Sequence, residues 1–183
     1  MTIEGVEAIE YFQWMEYGWR NPDIVLEDVK FLTGGVDVGS VSSQAVVLAD
    51  GRIFTYFNMR TGSNSPESAS KVMGLALKEG GLGMDRLQYV VGTGYGRVNV
   101  PFATKTITEI GCHARGAHFL FPTVRTILDM GGQDCKAIRC DGKGKVSQFV
   151  MNDKCAGGTG RFLEMIAEVL DTPLEDIGDL ALT

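Results

Sequence analysis

One pattern occurs twice, and it limits what this chain can fold into more than any single residue does. An apolar run closes on acid and glycine at Asp37-Val38-Gly39-Ser40, and again at Asp129-Met130-Gly131-Gly132-Gln133-Asp134. The surroundings repeat in register. Asp37 and Asp129, Gly39 and Gly131, Gln44 and Lys136, Ala45 and Ala137, and Val46 and Ile138 all lie 92 positions apart, and the Asp50-Gly51 and Asp141-Gly142 turns follow at 91. The same order of acid, glycine, apolar strand and Asp-Gly turn, met twice, reads as duplication of one supersecondary unit. Acids at strand ends beside glycines suit a metal-bound phosphate. Glycine lets backbone N–H groups approach an anion, and carboxylates hold Mg²⁺ or its waters. Either bend alone is also ordinary turn chemistry; two facing bends can grip a nucleotide's phosphates from both sides.

Composition narrows the class. A chain of 183 residues, 44% hydrophobic and 22% charged, is long and apolar enough for a proper core. A net charge of −6 argues against a general nucleic-acid surface. There is no apolar run of membrane-spanning length and no basic-then-apolar N-terminus, so a cytoplasmic protein with no membrane partner is expected. Four cysteines in such a chain are free thiols or metal ligands rather than a disulfide framework.

Along the chain, residues 1–30 hold both tryptophans, in Tyr11-Phe12-Gln13-Trp14-Met15-Glu16-Tyr17-Gly18-Trp19-Arg20. Aromatics this dense predict a helical arm, ended by Gly18 and Asn21-Pro22, that packs on its own domain or docks a partner subunit. Strands are predicted over Phe31–Val38, Ser42–Ala49 and Arg52–Met59, then a helix capped by Ser65 with Pro66 at its first position. That helix carries Ala69, Val72, Met73, Ala76 and Leu77 on one side and stops at Gly80-Gly81. A strand over Leu87–Val91 runs into Gly92-Thr93-Gly94-Tyr95-Gly96-Arg97, which lacks the spacing of a dinucleotide loop. Thr104–Phe119 predicts a helix. Its Cys112 and His113 are neighbours about 100° apart, poorly placed to share an ion, so a packed helix with small residues is expected. The second unit follows with strands at Val124–Leu128, Cys135–Cys140 and Lys145–Val150. Then a glycine-rich loop, Met151-Asn152-Asp153-Lys154-Cys155-Ala156-Gly157-Gly158-Thr159-Gly160-Arg161-Phe162, opens an apolar helix bearing Phe162, Leu163, Ile166, Val169 and Leu170. A helix N-terminus attracts anions, and a cysteine there is either a low-pKa thiolate ligand or an inert packed thiol. By repeat logic the second unit stops short, with about a third missing.

Together these stretches, with Cys112-His113-Ala114-Arg115-Gly116-Ala117, resemble the BadF/BadG/BcrA/BcrD-type ATPases. These are the activators of 2-hydroxyacyl-CoA dehydratases and the ATPase subunits of ATP-dependent benzoyl-CoA reductases. The resemblance covers about residues 33–183. It implies an α/β, actin-like (ASKHA, ribonuclease H-like) fold, with a complete first lobe over 31–122 and a truncated second lobe over 123–183; the aromatic helical arm over 1–30 precedes it. It implies an ATPase subunit that drives low-potential electron transfer from a 4Fe–4S cluster shared between two homologous subunits, identical or not. The cofactors implied are that cluster, ATP and Mg²⁺; the partners are substrate-reducing acyl-CoA subunits and ferredoxin as electron donor. Carried over by position, Cys155 would ligate the cluster. Asp37, Gly39 and Ser40 would face the phosphates from one side and Gly131 and Gly132 from the other, with Gly157, Gly158 and Thr159 also at the nucleotide. Asp129 and Asp134 would sit near Mg²⁺, and Gln133 would orient the attacking water.

The aromatic arm, lying outside the core resemblance, tilts the reading toward a class I benzoyl-CoA reductase subunit over a dehydratase activator. A small-molecule kinase of the same fold would need a general-base aspartate at a substrate pocket, and nothing marks one. A non-catalytic assembly module would keep the fold without ATPase activity. Two departures stand out: many superfamily members have lysine where this chain has Gln44, and the family's second cluster cysteine and much of the adenosine pocket are expected beyond Thr183.

Overall fold

The structure, a computed structural model, describes residues 16–152 and 159–182. These divide into two compact units, one of 16–127 with 138–149 and the other of 128–137 with 150–152 and 159–182.

The first of these holds a six-stranded mixed sheet, built from β1 (Tyr17–Arg20), β2 (Leu32–Val38), β3 (Ser42–Ala49), β4 (Arg52–Arg60), β5 (Tyr89–Thr93) and β6 (Lys105–Thr106) in the order β1-β4-β3-β2-β5-β6. β2 and β3 alternate buried and half-buried residues along their whole length, the period of two that a sheet shows when one face is covered. They pair antiparallel with Asp37 opposite Gln44, and β5 joins β2 in parallel with Thr93 opposite Asp37. Asp50 and Gly51, both at positive φ (48° and 79°), form the tight turn into β4. Helix α1 (Ser65–Gly80) covers the sheet with Ala69, Val72, Met73, Ala76 and Leu77, all buried, against Leu32, Val36, Val47 and Phe54. Phe54 is fully buried, and truncating such a side chain costs about 3–5 kcal/mol.

Helix α2 (Glu109–Leu120) buries Ala114 against Ile138 and Cys140, with Ile110, Val124, Ile127 and Val146 around them. A second sheet has β7 (Thr126–Met130), β8 (Cys135–Cys140) and β9 (Val146–Asn152) side by side in that order, repeating the β2-β3-β4 sequence of neighbours. Helix α3 (Gly160–Val169) and the single turn α4 (Ile177–Leu180) follow.

Several expectations shift. The segment Tyr17–Arg20 is a strand, not part of a helix. Tyr17 and Trp19 alternate as a strand requires, and Trp19 lies opposite Tyr56 in register and stacks on its ring, centroids 5.7 Å apart. The rest of the expected aromatic helix, at 11–15, lies outside the described residues. The cap of α1 is Asn64, whose Oδ1 accepts from Glu67 N, so the helix starts one residue earlier than Ser65 capping implies. β5 runs two residues further than expected, to Thr93. The helix expected from Thr104 begins only at Glu109, because the preceding backbone is drawn onto β5: Thr104 N donates to Val90 O and Ile107 N to Gly92 O. The apolar helix after the glycine-rich loop forms, but Phe162, Leu163, Val169 and Leu170 are exposed.

Candidate nucleotide site

The two acid-glycine bends have the same backbone. Gly39 N donates to Ser42 O at 3.0 Å, and 92 residues on, Gly131 N donates to Asp134 O at 2.8 Å. Space demands glycine at Gly39, where a Cβ would meet the backbone Ser42 O at 2.8 Å; one on Gly131 would press on the Asp134 side chain, Oδ1 at 2.8 Å, with the backbone Asp134 O at 3.2 Å.

At the first bend, Asp37 is the last residue but one of β2, with its side chain 23% exposed, and Val38, Gly39 and an exposed Ser40 follow. Beside it the loop after β5 turns at Gly94, φ 85°, where any side chain would collide with Asp37 Oδ1 and the Val38 carbonyl. Gly96 N closes the loop onto Val38 O at 2.9 Å. From α2, His113 Nε2 lies 3.2 Å from Asp37 Oδ2. Glu109, one turn earlier, pairs with Arg97 at 3.0 Å. Pairs this exposed contribute roughly 0–1 kcal/mol each, so their value lies in placement more than in stability. Thr93 Oγ1 is buried without a hydrogen bond of ordinary geometry among the described residues. Next to it, burial pushes the Cys112 thiol up, against the lowering effect of the Thr93 hydroxyl. A raised thiol is not a reactive one.

At the second bend, Asp129 and Asp134 converge on Lys136 Nζ, at 3.8 and 2.5 Å. Lys136 is only 4% exposed at its side chain. Gly131 and Gly132 are half-buried, and Gln133 is exposed. The start of α3 joins this bend: Gly160 N donates to Gly131 O at 3.2 Å, and Thr159 is fully buried at the helix N-cap. Cys155, Gly157 and Gly158 lie outside the described residues. Among the described residues no group of three or more His, Cys, Asp or Glu is placed to hold a metal ion by itself. The two carboxylates around Lys136 suit Mg²⁺ only as it is commonly bound, through one or two carboxylates with waters and phosphate completing the shell.

Sequence reasoning missed two residues. Lys136 was visible as the repeat partner of Gln44, and it stands in β8 two residues after Asp134, the residue that leads into the strand, a spacing that favours the same side of extended chain. His113 was read as part of a small-residue packing helix. Its spacing of four from Glu109 was the available signal for a polar face. An open recess lined by Trp19, Asn21, Arg52, Tyr56 and Phe119 lies among none of these residues.

An acid-glycine bend made twice on an α/β frame defines a class, the proteins of actin-like ATPase fold. Comparison with known proteins agrees. The activator of 2-hydroxyisocaproyl-CoA dehydratase from Clostridium difficile, solved with bound ADPNP, superposes with a TM-score of 0.74 at 39% identity, over 84% of this chain and 57% of that one. The activator of lactoyl-CoA dehydratase from Anaerotignum propionicum is 52% identical over 151 residues, 81% of this chain and 57% of the relative. One of the subunits of benzoyl-CoA reductase from Thauera aromatica is 34% identical over 155 residues, 82% of this chain and 55% of the relative. Residues 35–183 match the BadF/BadG/BcrA/BcrD ATPase family, and the chain belongs to it. It spans a little over half the length of these relatives. The match begins after the aromatic segment, so that segment gives no weight to a reductase over an activator, and the identities favour the activator. No helix among the described residues is long and apolar enough to cross a membrane.

Proposed function

We propose that this chain is the ATP-hydrolysing part of an activator of a 2-hydroxyacyl-CoA dehydratase. The observation that carries the reading is the twin bend, one hydrogen bond repeated 92 residues apart, in a chain 52% identical to a lactoyl-CoA dehydratase activator. In this reading Asp37, Gly39 N–H and Ser40 face the phosphates from the first bend, and Gly131 and Gly132 from the second. Gln133 orients the attacking water, and Thr159 belongs to the same nucleotide site with Gly157 and Gly158. Asp129 and Asp134 hold Mg²⁺ through phosphate and water, with Lys136 fixing both carboxylates. Phosphoryl transfer asks the protein mainly for such positioning and charge.

Cys155, assigned from its place in the sequence, is one ligand of a 4Fe–4S cluster completed by a homologous subunit. The cluster supplies a low-potential electron for the acyl-CoA partner. Loss of the γ-phosphate releases the bends, and that shift is what couples hydrolysis to the electron. Ferredoxin as donor and a cytoplasmic setting follow from the same assignment.

The test is the full-length protein purified without oxygen and paired in turn with a 2-hydroxyacyl-CoA dehydratase and a benzoyl-CoA reductase. The expected result is MgATP hydrolysis, cluster iron, and activation of the dehydratase alone. Activation of the reductase alone would move the reading to the reductase, and an iron-free protein without ATPase activity would end it.

A further inference from the structure

Helix α2 carries two polar ties on one face. Glu109 and His113 are four residues apart, a spacing that stacks their side chains one turn above the other. Glu109 meets Arg97 Nη1 at 3.0 Å, and the same nitrogen donates to Gly94 O at 2.9 Å. His113 Nε2 meets Asp37 Oδ2 at 3.2 Å. One helix face therefore holds the loop after β5 and the Asp37 carboxylate near the end of β2. An ionised carboxylate can only accept, so the nitrogen facing it carries the proton.

Asp37 needs such a partner. The terminal torsion of an aspartate is broad, and no rotamer well fixes where its oxygens point. Gln44 lies opposite Asp37 in the ladder, but its amide nitrogen donates to Ser42 Oγ and Asn58 Oδ1, each at 2.8 Å. Gly94 confines the other oxygen only by leaving it room. The directed contact comes from 76 residues away, on a different element.

We propose that His113 is a positioning residue for Asp37, fixing the direction of that carboxylate at the phosphate-facing end of β2. The inference rests on the assignment of Asp37 to the nucleotide site, and two readouts on the full-length protein keep the two apart. The first is steady-state MgATP hydrolysis by His113→Ala and His113→Gln. Misplacing Asp37 should lower kcat about tenfold or more in the alanine variant, while KM moves less than about twofold. The glutamine variant, whose amide N–H can stand where Nε2–H stood, should recover to within about threefold of wild type. The second is the ¹⁵N spectrum of the His113 ring, which should change on Asp37→Asn. Ring signals indifferent to Asp37→Asn, or an alanine variant as fast as an active wild type, would overturn the proposal. Equal loss in both variants would also overturn it, since that is the mark of damaged packing. A ring that answers Asp37→Asn in a protein without ATPase activity would confirm the contact and sink the assigned function instead.

Discussion

The two bends share a backbone and differ in how they balance charge. Gly39 N to Ser42 O and Gly131 N to Asp134 O are the same hydrogen bond. The side chains two residues beyond repeat the contact as well: Gln44 Nε2 reaches Ser42 Oγ at 2.8 Å, and Lys136 Nζ reaches Asp134 Oδ1 at 2.5 Å. In the first bend that contact is neutral, and Asp37 takes its partner from helix α2. In the second it is ionic, and one lysine of the same hairpin serves both acids. The turn recurs because its hydrogen bond constrains the backbone tightly, and the electrostatics differ because several local solutions can satisfy one carboxylate.

The largest effect should come from removing the self-contained solution. Lys136→Met removes the cation that Asp129 and Asp134 share. Because both acids keep some contact with water, the expected loss is about 2–3 kcal/mol by urea unfolding, below the figure for a wholly buried pair. A loss below about 0.5 kcal/mol would mean the second bend does not depend on its lysine. Lys136→Gln, which installs the first bend's residue, should cost roughly 1 kcal/mol, because an amide can still donate to Asp134. Next is Gly94→Ala at the first bend. A left-handed backbone strains alanine by about 1–2 kcal/mol, and its Cβ also drives Asp37 aside, so nucleotide affinity should fall along with stability. Unchanged nucleotide binding would separate the loop from the site.

The smallest effect lies in the turns that close the two hairpins. The N–H groups of Lys145 and Lys143 donate to Asp141 Oδ1 and hold its carboxyl below the usual range. Its folded pKa is depressed, so its contribution is complete above about pH 4, the ordinary unfolded value, and fades as pH falls through the lowered one. Asp141→Asn should lower the unfolding midpoint slightly near neutral pH, where the carboxylate's contribution is complete, and the difference from wild type should vanish as pH falls through that acidic window. In the other hairpin the turn aspartate is used differently: Asp50 Oδ1 and Oδ2 accept from Phe31 N and Lys30 N, outside its own turn.

Much of this frame was legible because its signals are local. Strand alternation over 32–38 and 42–49, the apolar stripe of α1 and the 92-residue offset all follow from side-chain period and turn chemistry. Boundaries set by distant pairing were not. Tyr17–Arg20 is a strand because Tyr56 lies across from Trp19, and α2 starts late because β5 captures the backbone before it. The acids and glycines of the site were visible as a repeated motif. His113 was not, because its meaning depends on Asp37, which only the fold brings near. Lys136 stood in the aligned repeat, but its charge had no stated purpose until Asp129 and Asp134 closed on it.

If both bends hold the phosphates of one nucleotide, neither can be altered without loss. Titrating MgADPNP into the full-length protein, wild type against Asp37→Asn and Asp129→Asn, asks this without intermediaries. Each substitution alone should weaken binding by about tenfold or more in a protein that still folds. Wild-type affinity after altering either bend would contradict the shared grip.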